Sequence, residues 1–278
     1  MSGHPVRIKI DISGLTEAQA TLLMPLWSRA LESRRSQPLI RDEKAEEIIS
    51  RLDFDFDTFR RKSVPAVDYC LRASVIDQLV KRFLGAHEQA TIVELGVGLD
   101  TRSDRLDNGR AIWIELDLPD AMRVRQKFFQ PNSRRTMISS SLLDSDWFEQ
   151  TERYRRGPIL FIAEGVFYFF EEKQVCSILS RLADRFPASS LIFDAQSPWF
   201  LRISNLRHPL RDSRLKFSLA SVRDIESWDR RLRVQQCIGF GDSPYYDAGM
   251  PRLSRLRRWG RRLFPPVRHL FKVVHVGW

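Results

Sequence analysis

Apolar residues recur at helical spacing through the first third of the chain and then give way to short, unbroken apolar runs. That change of period is the first structural signal in the sequence. Leu15, Leu22, Leu23, Leu26 and Ala30 fall at helical intervals across residues 15–35, with Pro25 expected to bend that helix. Asp42 to Leu52 reads as a second helix with an acidic start. Asp68 to Leu84 reads as a third, its apolar face made of Tyr69, Val75, Ile76, Leu79 and Phe83. No convincing strand precedes Thr91.

From Thr91 the pattern alternates. Thr91–Leu95 is a short strand ending in a glycine turn, and Ala111–Leu116 is a second. A helix follows over Pro119–Phe129, then a short strand at Thr136–Ile138. Ile159–Ala163 is continuously apolar, as a central parallel strand buried on both faces must be. Lys173–Phe186 is a helix stopped by Pro187, Ser190–Asp194 a further strand, and Arg233–Ile238 with Phe271–Val276 a closing pair. Strands alternating with helices predict βαβ units, hence an α/β class with a doubly wound sheet and a helical N-terminal cap. The chain shows no internal repeat and no low-complexity linker. The expectation is a single domain over 1–278, with a cap over 1–88, an α/β core over 89–278 and an insert around 197–230 covering the acceptor-binding end.

Composition narrows the class without naming it. At 278 residues and 43% apolar content the chain can bury a proper core. No stretch approaches the roughly 18 apolar residues of a membrane span, and the N-terminus lacks a secretory pattern. Cys70, Cys176 and Cys237 are widely spaced and odd in number, which argues against a disulfide framework or a zinc site. A cytoplasmic protein without a bound metal is expected. The net charge is +10, and residues 248–278 hold eight Lys or Arg and no acid. Such a surface suits an anionic small substrate, an acidic carrier protein, a lipid headgroup or nucleic acid, and a solvated helix face accounts for it equally well.

Candidate chemistry gathers at the strand ends. Ligands of open α/β sheets bind beyond the carboxyl ends of the strands, and the first strand here runs into Glu94-Leu95-Gly96-Val97-Gly98. Two glycines allow a sharp turn and a close ligand approach. Thr101 stands where a dinucleotide fingerprint has its third glycine or alanine, which counts against a pyrophosphate cofactor. Asp117, 19 residues after Gly98, ends the second strand, where an acid can accept from both hydroxyls of a ribose. Glu115 points the same way, so the choice between the two stays open. Asp100 and Arg102 either pair with each other or meet the cofactor. Glu164 interrupts an apolar run, where a buried carboxylate needs a partner such as an ammonium or a loop amide. Arg72, on an apolar-faced helix, is best explained by pairing with a carboxylate.

Taken in order, Val93-Glu-Leu-Gly-Val-Gly-Leu-Asp-Thr-Arg102, Glu115-Leu-Asp-Leu-Pro119, Ser141-Leu-Leu-Asp144 followed by Trp147, and Phe161-Ile-Ala-Glu-Gly165 resemble the leucine carboxyl methyltransferase family, and within it a bacterial, polyketide O-methylating branch. Ser28–Glu32, Pro38–Asp42 and Arg72 extend the resemblance over roughly residues 25–200. It implies a Rossmann-like methyltransferase sheet and S-adenosyl-L-methionine as cofactor. It further implies that Glu94, Gly96 and Gly98 belong to the cofactor site and that Asp117 holds the ribose. Ser141 and Leu142 then flank the adenine, Glu164 binds the methionine amino group, and Arg72, with Arg29, binds its carboxylate. Three departures stand out: Val97 for alanine, Ser141 where the eukaryotic branch has an acid, and Phe169, beside Tyr168, where tyrosine is usual.

Methyl transfer is an in-line displacement at a sulfonium, so alignment of the acceptor oxygen is the main task. A carboxylate acceptor needs no general base, whereas a phenol or alcohol benefits from one. The weak candidates for a base are His208 and Tyr168, and the lack of a stronger one leans towards a carboxyl acceptor. The expected partner is a small-molecule acceptor, anionic or carrier-bound, of specialised metabolism. The competing reading is a nucleic-acid or protein carboxyl methyltransferase that uses the basic C-terminal region. Against nucleic acid, the chain has no Asp/Asn-Pro-Pro-aromatic segment and no cysteine following a proline.

Overall fold

A computed structural model describes residues 10–11, 22–61, 66–207, 214–255, 258–260 and 270–278. In the N-terminal part, β1 (Ile10–Asp11) is followed by α1 (Leu23–Ser33), α2 (Glu43–Arg51), β2 (Leu52–Asp53), one helical turn at Asp57–Arg61, and α3 (Ala66–Ala86). β1 and β2 pair in parallel, a contact with no counterpart in the periodicity. Pro25 lies in the first turn of α1, where an amide hydrogen has no helical partner to lose. Leu15 lies outside the described residues. α2 begins where the acidic pattern puts it, because the Asp42 side chain caps it by accepting from the Ala45 amide at 2.9 Å. Leu23, Leu26, Trp27 and Ala30 of α1 bury against Ala45, Ile48 and Phe59.

The remainder is an α/β layer structure. In chain order it comprises β3 (Thr91–Leu95), α4 (Arg102–Leu106), β4 (Ile112–Asp117), α5 (Pro119–Arg125), β5 (Arg135–Ser139), α6 (Asp146–Tyr154), β6 (Ile159–Ala163), α7 (Glu172–Arg185), β7 (Ser190–Gln196), α8 (Pro198–Arg207), β8 (Arg233–Gly239) and β9 (Phe271–Gly277). The sheet order is β5-β4-β3-β6-β7-β9-β8, with β9 antiparallel to both its neighbours and the other pairs parallel. Both faces are covered, so the central strands are apolar on both sides. Val75, Ile76, Leu79 and Val80 of α3 pack on Ile92, Trp113, Leu160, Ile162 and Ile192. Trp147, Ile178, Leu179 and Leu182 of α6 and α7 pack on Val93, Leu95, Ile114, Phe161 and Phe193. Each such side chain, fully buried, contributes about 1.5–3 kcal/mol. Strand order reverses between β3 and β6, which places the ligand crevice beyond the ends of those two strands.

Candidate active site

Because side chains alternate along a strand, one face of this sheet collects its acids. Ile92 lies against α3, so Glu94, two residues on, faces the same way. Glu94 is in register with Glu115 of β4 and Ile162 of β6. The same parity carries Asp117, Glu164 and Asp194 to that side. Four adjacent strands thus bring acids to the ends of one face. Arg72 of α3, Arg102 and Arg105 of α4, and Arg125 of α5 meet them there.

The two acids of β4 separate by what they touch. Glu115 is completely buried and sealed by arginines: it accepts from Arg125 Nε at 2.7 Å and from Ser103 Oγ at 2.9 Å, with Arg135 at 3.3 Å. Asp117, at the strand end, accepts from the Gly98 amide at 2.6 Å and the Leu118 amide at 2.7 Å. Burial pushes its carboxyl upward, against the pull of those two amides. Two amides leave lone pairs on both oxygens for a ligand, since an ionised carboxylate offers about four. Of the two acids, Asp117 has the lone pairs that the protein leaves open, and Glu115 is taken up by its own partners.

At the ends of β6 and β7 the protein partners of Glu164 are guanidiniums. Its Oε1 accepts from Arg72 Nε at 3.0 Å and its Oε2 from Arg102 Nη2. Burial disfavours its charge, yet Arg72 and Arg102 together draw the carboxyl below its ordinary range. Arg72 also reaches Asp194 through Nη1 at 3.0 Å. Asp194 accepts from the Gly165 amide at 2.6 Å and from the Tyr168 hydroxyl at 2.7 Å as well. Burial first, and Asp194 second, hold the Tyr168 proton on well above its usual value. Tyr168 acts as a donor to Asp194 in this arrangement. His208 lies outside the described residues.

The glycine turn joins these pieces. Gly96 and Gly98 have φ of +65° and +49°, and a Cβ on either would strike Val166 at 2.6 Å or Leu22 at 2.9 Å. Asp100 and Arg102 do pair with each other. Burial opposes the charge on Asp100, but Arg102, Arg29 and Arg105 hold its carboxyl far below the ordinary range. Arg29 is buried, donating to Asp42 at 2.7 Å and to the Leu99 carbonyl at 3.2 Å, so it already supports the turn from behind. Glu94 differs from its neighbours: its Oε1 is 3.5 Å from Arg102, while the buried Oε2 has no hydrogen-bond partner. Burial, and after it Asp100, push this carboxyl up to about 8. Ser141 opens the turn after β5, its Oγ accepting from the Leu143 amide at 3.1 Å, and Leu142 is buried beside it. Arg181 of α7 fastens that turn by donating to the Leu143 and Asp144 carbonyls.

Arg105, Arg125 and Arg181 carry no mark as site residues in the sequence. For Asp194 the signal existed: it is the acid on an apolar strand, at the same parity as Glu94. Among the described residues no group of three or more His, Cys, Asp or Glu is disposed to hold a metal ion, and no helix is long and apolar enough to cross a membrane.

The leucine carboxyl methyltransferase family model matches residues 22–183, the segment that carries the cap helices, the glycine turn and Glu164. The chain belongs to that family. It is 31% identical over 266 residues to the tetracenomycin polyketide synthesis O-methyltransferase TcmP of Streptomyces glaucescens, covering 94% of this chain and 96% of that one. It is 28% identical over 245 residues to the S-adenosyl-L-methionine-dependent methyltransferase dpfgK of Gibberella zeae, covering 80% and 82%. Among solved structures it is similar to the magnesium protoporphyrin IX methyltransferase of Synechocystis PCC 6803, with 12% identity, a TM-score of 0.49 and coverage of 84% and 93%. This member of the family is an enzyme, a methyltransferase that uses S-adenosyl-L-methionine.

Proposed function

We propose that the enzyme moves the S-adenosylmethionine methyl group onto an oxygen of an anionic small molecule of specialised metabolism, with a carboxylate favoured over a hydroxyl, in a cytoplasmic setting. The cofactor supplies a methyl group on a sulfonium, and the chain supplies its seat. The Asp117 carboxylate, anchored by the Gly98 amide and with lone pairs remaining, holds the ribose hydroxyls; this is the observation that carries the reading. The Gly96–Gly98 turn lets the cofactor approach backbone closely. The orphaned, buried Glu94 Oε2 fits the cationic end of the methionine, alongside Glu164. Arg72, with Arg29 behind the turn, attracts the methionine carboxylate, while Ser141 and Leu142 border the adenine.

One observation supports an acceptor that arrives already ionised, and a second supports oxygen as the methylated atom. Tyr168 keeps its proton towards Asp194, so it does not serve as a base. The relative matched nearly end to end is named for O-methylation in polyketide synthesis. Calorimetric titration with S-adenosylmethionine and, separately, with NAD tests the cofactor seat, and mass-spectrometric screening of carboxylic acids against phenols tests the acceptor. S-adenosylmethionine is expected to bind and NAD not to. At a hundredfold excess over Kd the bound cofactor adds roughly 2.7 kcal/mol to stability. NAD binding without a response to S-adenosylmethionine would sink the assignment.

A further inference from the structure

We infer that Asp194 is a positioning residue that aims Arg72 at the carboxylate end of the cofactor. The inference rests on the cofactor placement proposed above. Asp194 is 1% exposed near the end of β7, three strands along the sheet from Asp117. Its two oxygens gather donors from three separate elements: the Gly165 amide on the turn after β6, the Tyr168 hydroxyl on the following helical turn, and Arg72 Nη1 on α3.

Each bond fixes something that the site uses. The bond to Gly165 sets the turn that presents Glu164, and at Gly165 itself, with φ +74°, a Cβ would crowd the Arg72 guanidinium at 3.2 Å. The bond from Arg72 Nη1 works with the Nε bond to Glu164, so two carboxylates on adjacent strands define the plane of the guanidinium. A planar fork held at two nitrogens cannot rotate about its stem, and a ligand carboxylate then meets donors already aimed. With Asp194 neutralised, Arg72 keeps one anchor and loses its aim.

The test uses a ligand pair that differs only at the end concerned. S-adenosylhomocysteine carries the amino-acid end, whereas methylthioadenosine has the same nucleoside without it. In the parent, S-adenosylhomocysteine is expected to bind more tightly than methylthioadenosine. Asp194→Asn is expected to weaken S-adenosylhomocysteine on the order of tenfold, the scale of one charge-assisted hydrogen bond, and to leave methylthioadenosine unchanged. Should that variant not fold, Asp194→Glu, which keeps the charge but displaces it by one methylene, gives the same comparison. Equal weakening of both ligands would overturn the inference, as would no weakening of either. Failure of both variants to fold would also overturn it, because Asp194 would then anchor the sheet rather than aim Arg72. A parent that bound neither ligand would instead remove the proposed function.

Discussion

Asp117 and Glu115 are the same kind of residue on the same face of one strand, and their surroundings give them opposite roles. Asp117→Ala removes lone pairs that serve a ligand, so cofactor affinity should fall by on the order of 1.5–3 kcal/mol, with a smaller drop in the melting temperature of the ligand-free protein because the Gly98 and Leu118 amides lose their acceptor. Glu115→Ala should do the reverse, because it strands the wholly buried Arg125 without its carboxylate, an error worth about 3–5 kcal/mol. Paired calorimetric and thermal-melt measurements on both variants check this, and equal behaviour would mean that the two carboxylates share one role. Glu94 supplies a pH prediction. Its folded-state carboxyl is raised from 4.5 to about 8, so its contribution to stability is whole below 4.5 and is lost as the pH rises through about 8. A cationic ligand favours the ionised form. S-adenosylmethionine should therefore release a proton on binding and bind more tightly as the pH climbs towards 8, which titrations in buffers of different ionisation enthalpy will read. Glu94→Gln should abolish the proton release.

α2 shows how an element is tied to the site by its first residue. Asp42 caps α2 and at the same time accepts from Arg29 and from Thr101 Oγ1, and it lies 3.2 Å from Arg105. Burial opposes its charge, but Arg29 and Arg105 outweigh that and lower its carboxyl. Asp42→Ala should destabilise the fold by about 3–5 kcal/mol, the scale of a broken buried pair, with the helix cap included in the loss. Because the carboxyl is lowered, this stabilisation is present above its ordinary value of 3.8 and lost as the pH falls further. Acid melts of parent and Asp42→Asn, which should converge at low pH, provide the check. At this scale much was legible beforehand. The strands β3, β4, β6 and β7 are mostly apolar runs bounded by turns, the pair β8–β9 mixes apolar with polar positions, and the helices α2, α3 and α7 carry clear periodicity. α6 went unnoticed because Trp147, Phe148 and Thr151 are its only buried residues and charged positions fill the rest. The site was legible where a motif is local, as at Gly96–Gly98 and Asp117. Where the partner is remote only half was legible: Arg72 is expected to meet a carboxylate, but nothing local ties it to Asp194, 122 residues away.

Over the whole molecule, the basic C-terminal region is tied back to the cap. Arg252 grips Glu32 of α1 through Nε at 2.8 and 3.0 Å and donates to the Gln37 carbonyl, while Leu253 and Met250 bury against Val67 and Leu71 of α3. Arg252→Ala should lower stability by about 1–3 kcal/mol, read as a melting shift, since it leaves the buried Glu32 short of its partner. Of the eight basic residues in 248–278, Arg252, Arg255, Arg258 and Lys272 are among the described residues. If that region steers an anionic acceptor, kcat/KM should fall with salt as the Debye length shrinks from about 10 Å at 0.1 M to about 3 Å at 1 M, with the cofactor Kd little affected. The order of the strands carries a different kind of consequence. β9 follows β8 in the chain yet lies between β7 and β8, so β8 has no sheet neighbour until β9 has been made and inserted. During synthesis on the ribosome, β7 must wait as an open edge of unpaired amides and carbonyls while some 74 residues, from Ser197 to Leu270, emerge behind it. The nascent chain is thus most exposed to aggregation just before its sheet closes, and chaperone dependence should concentrate in that interval.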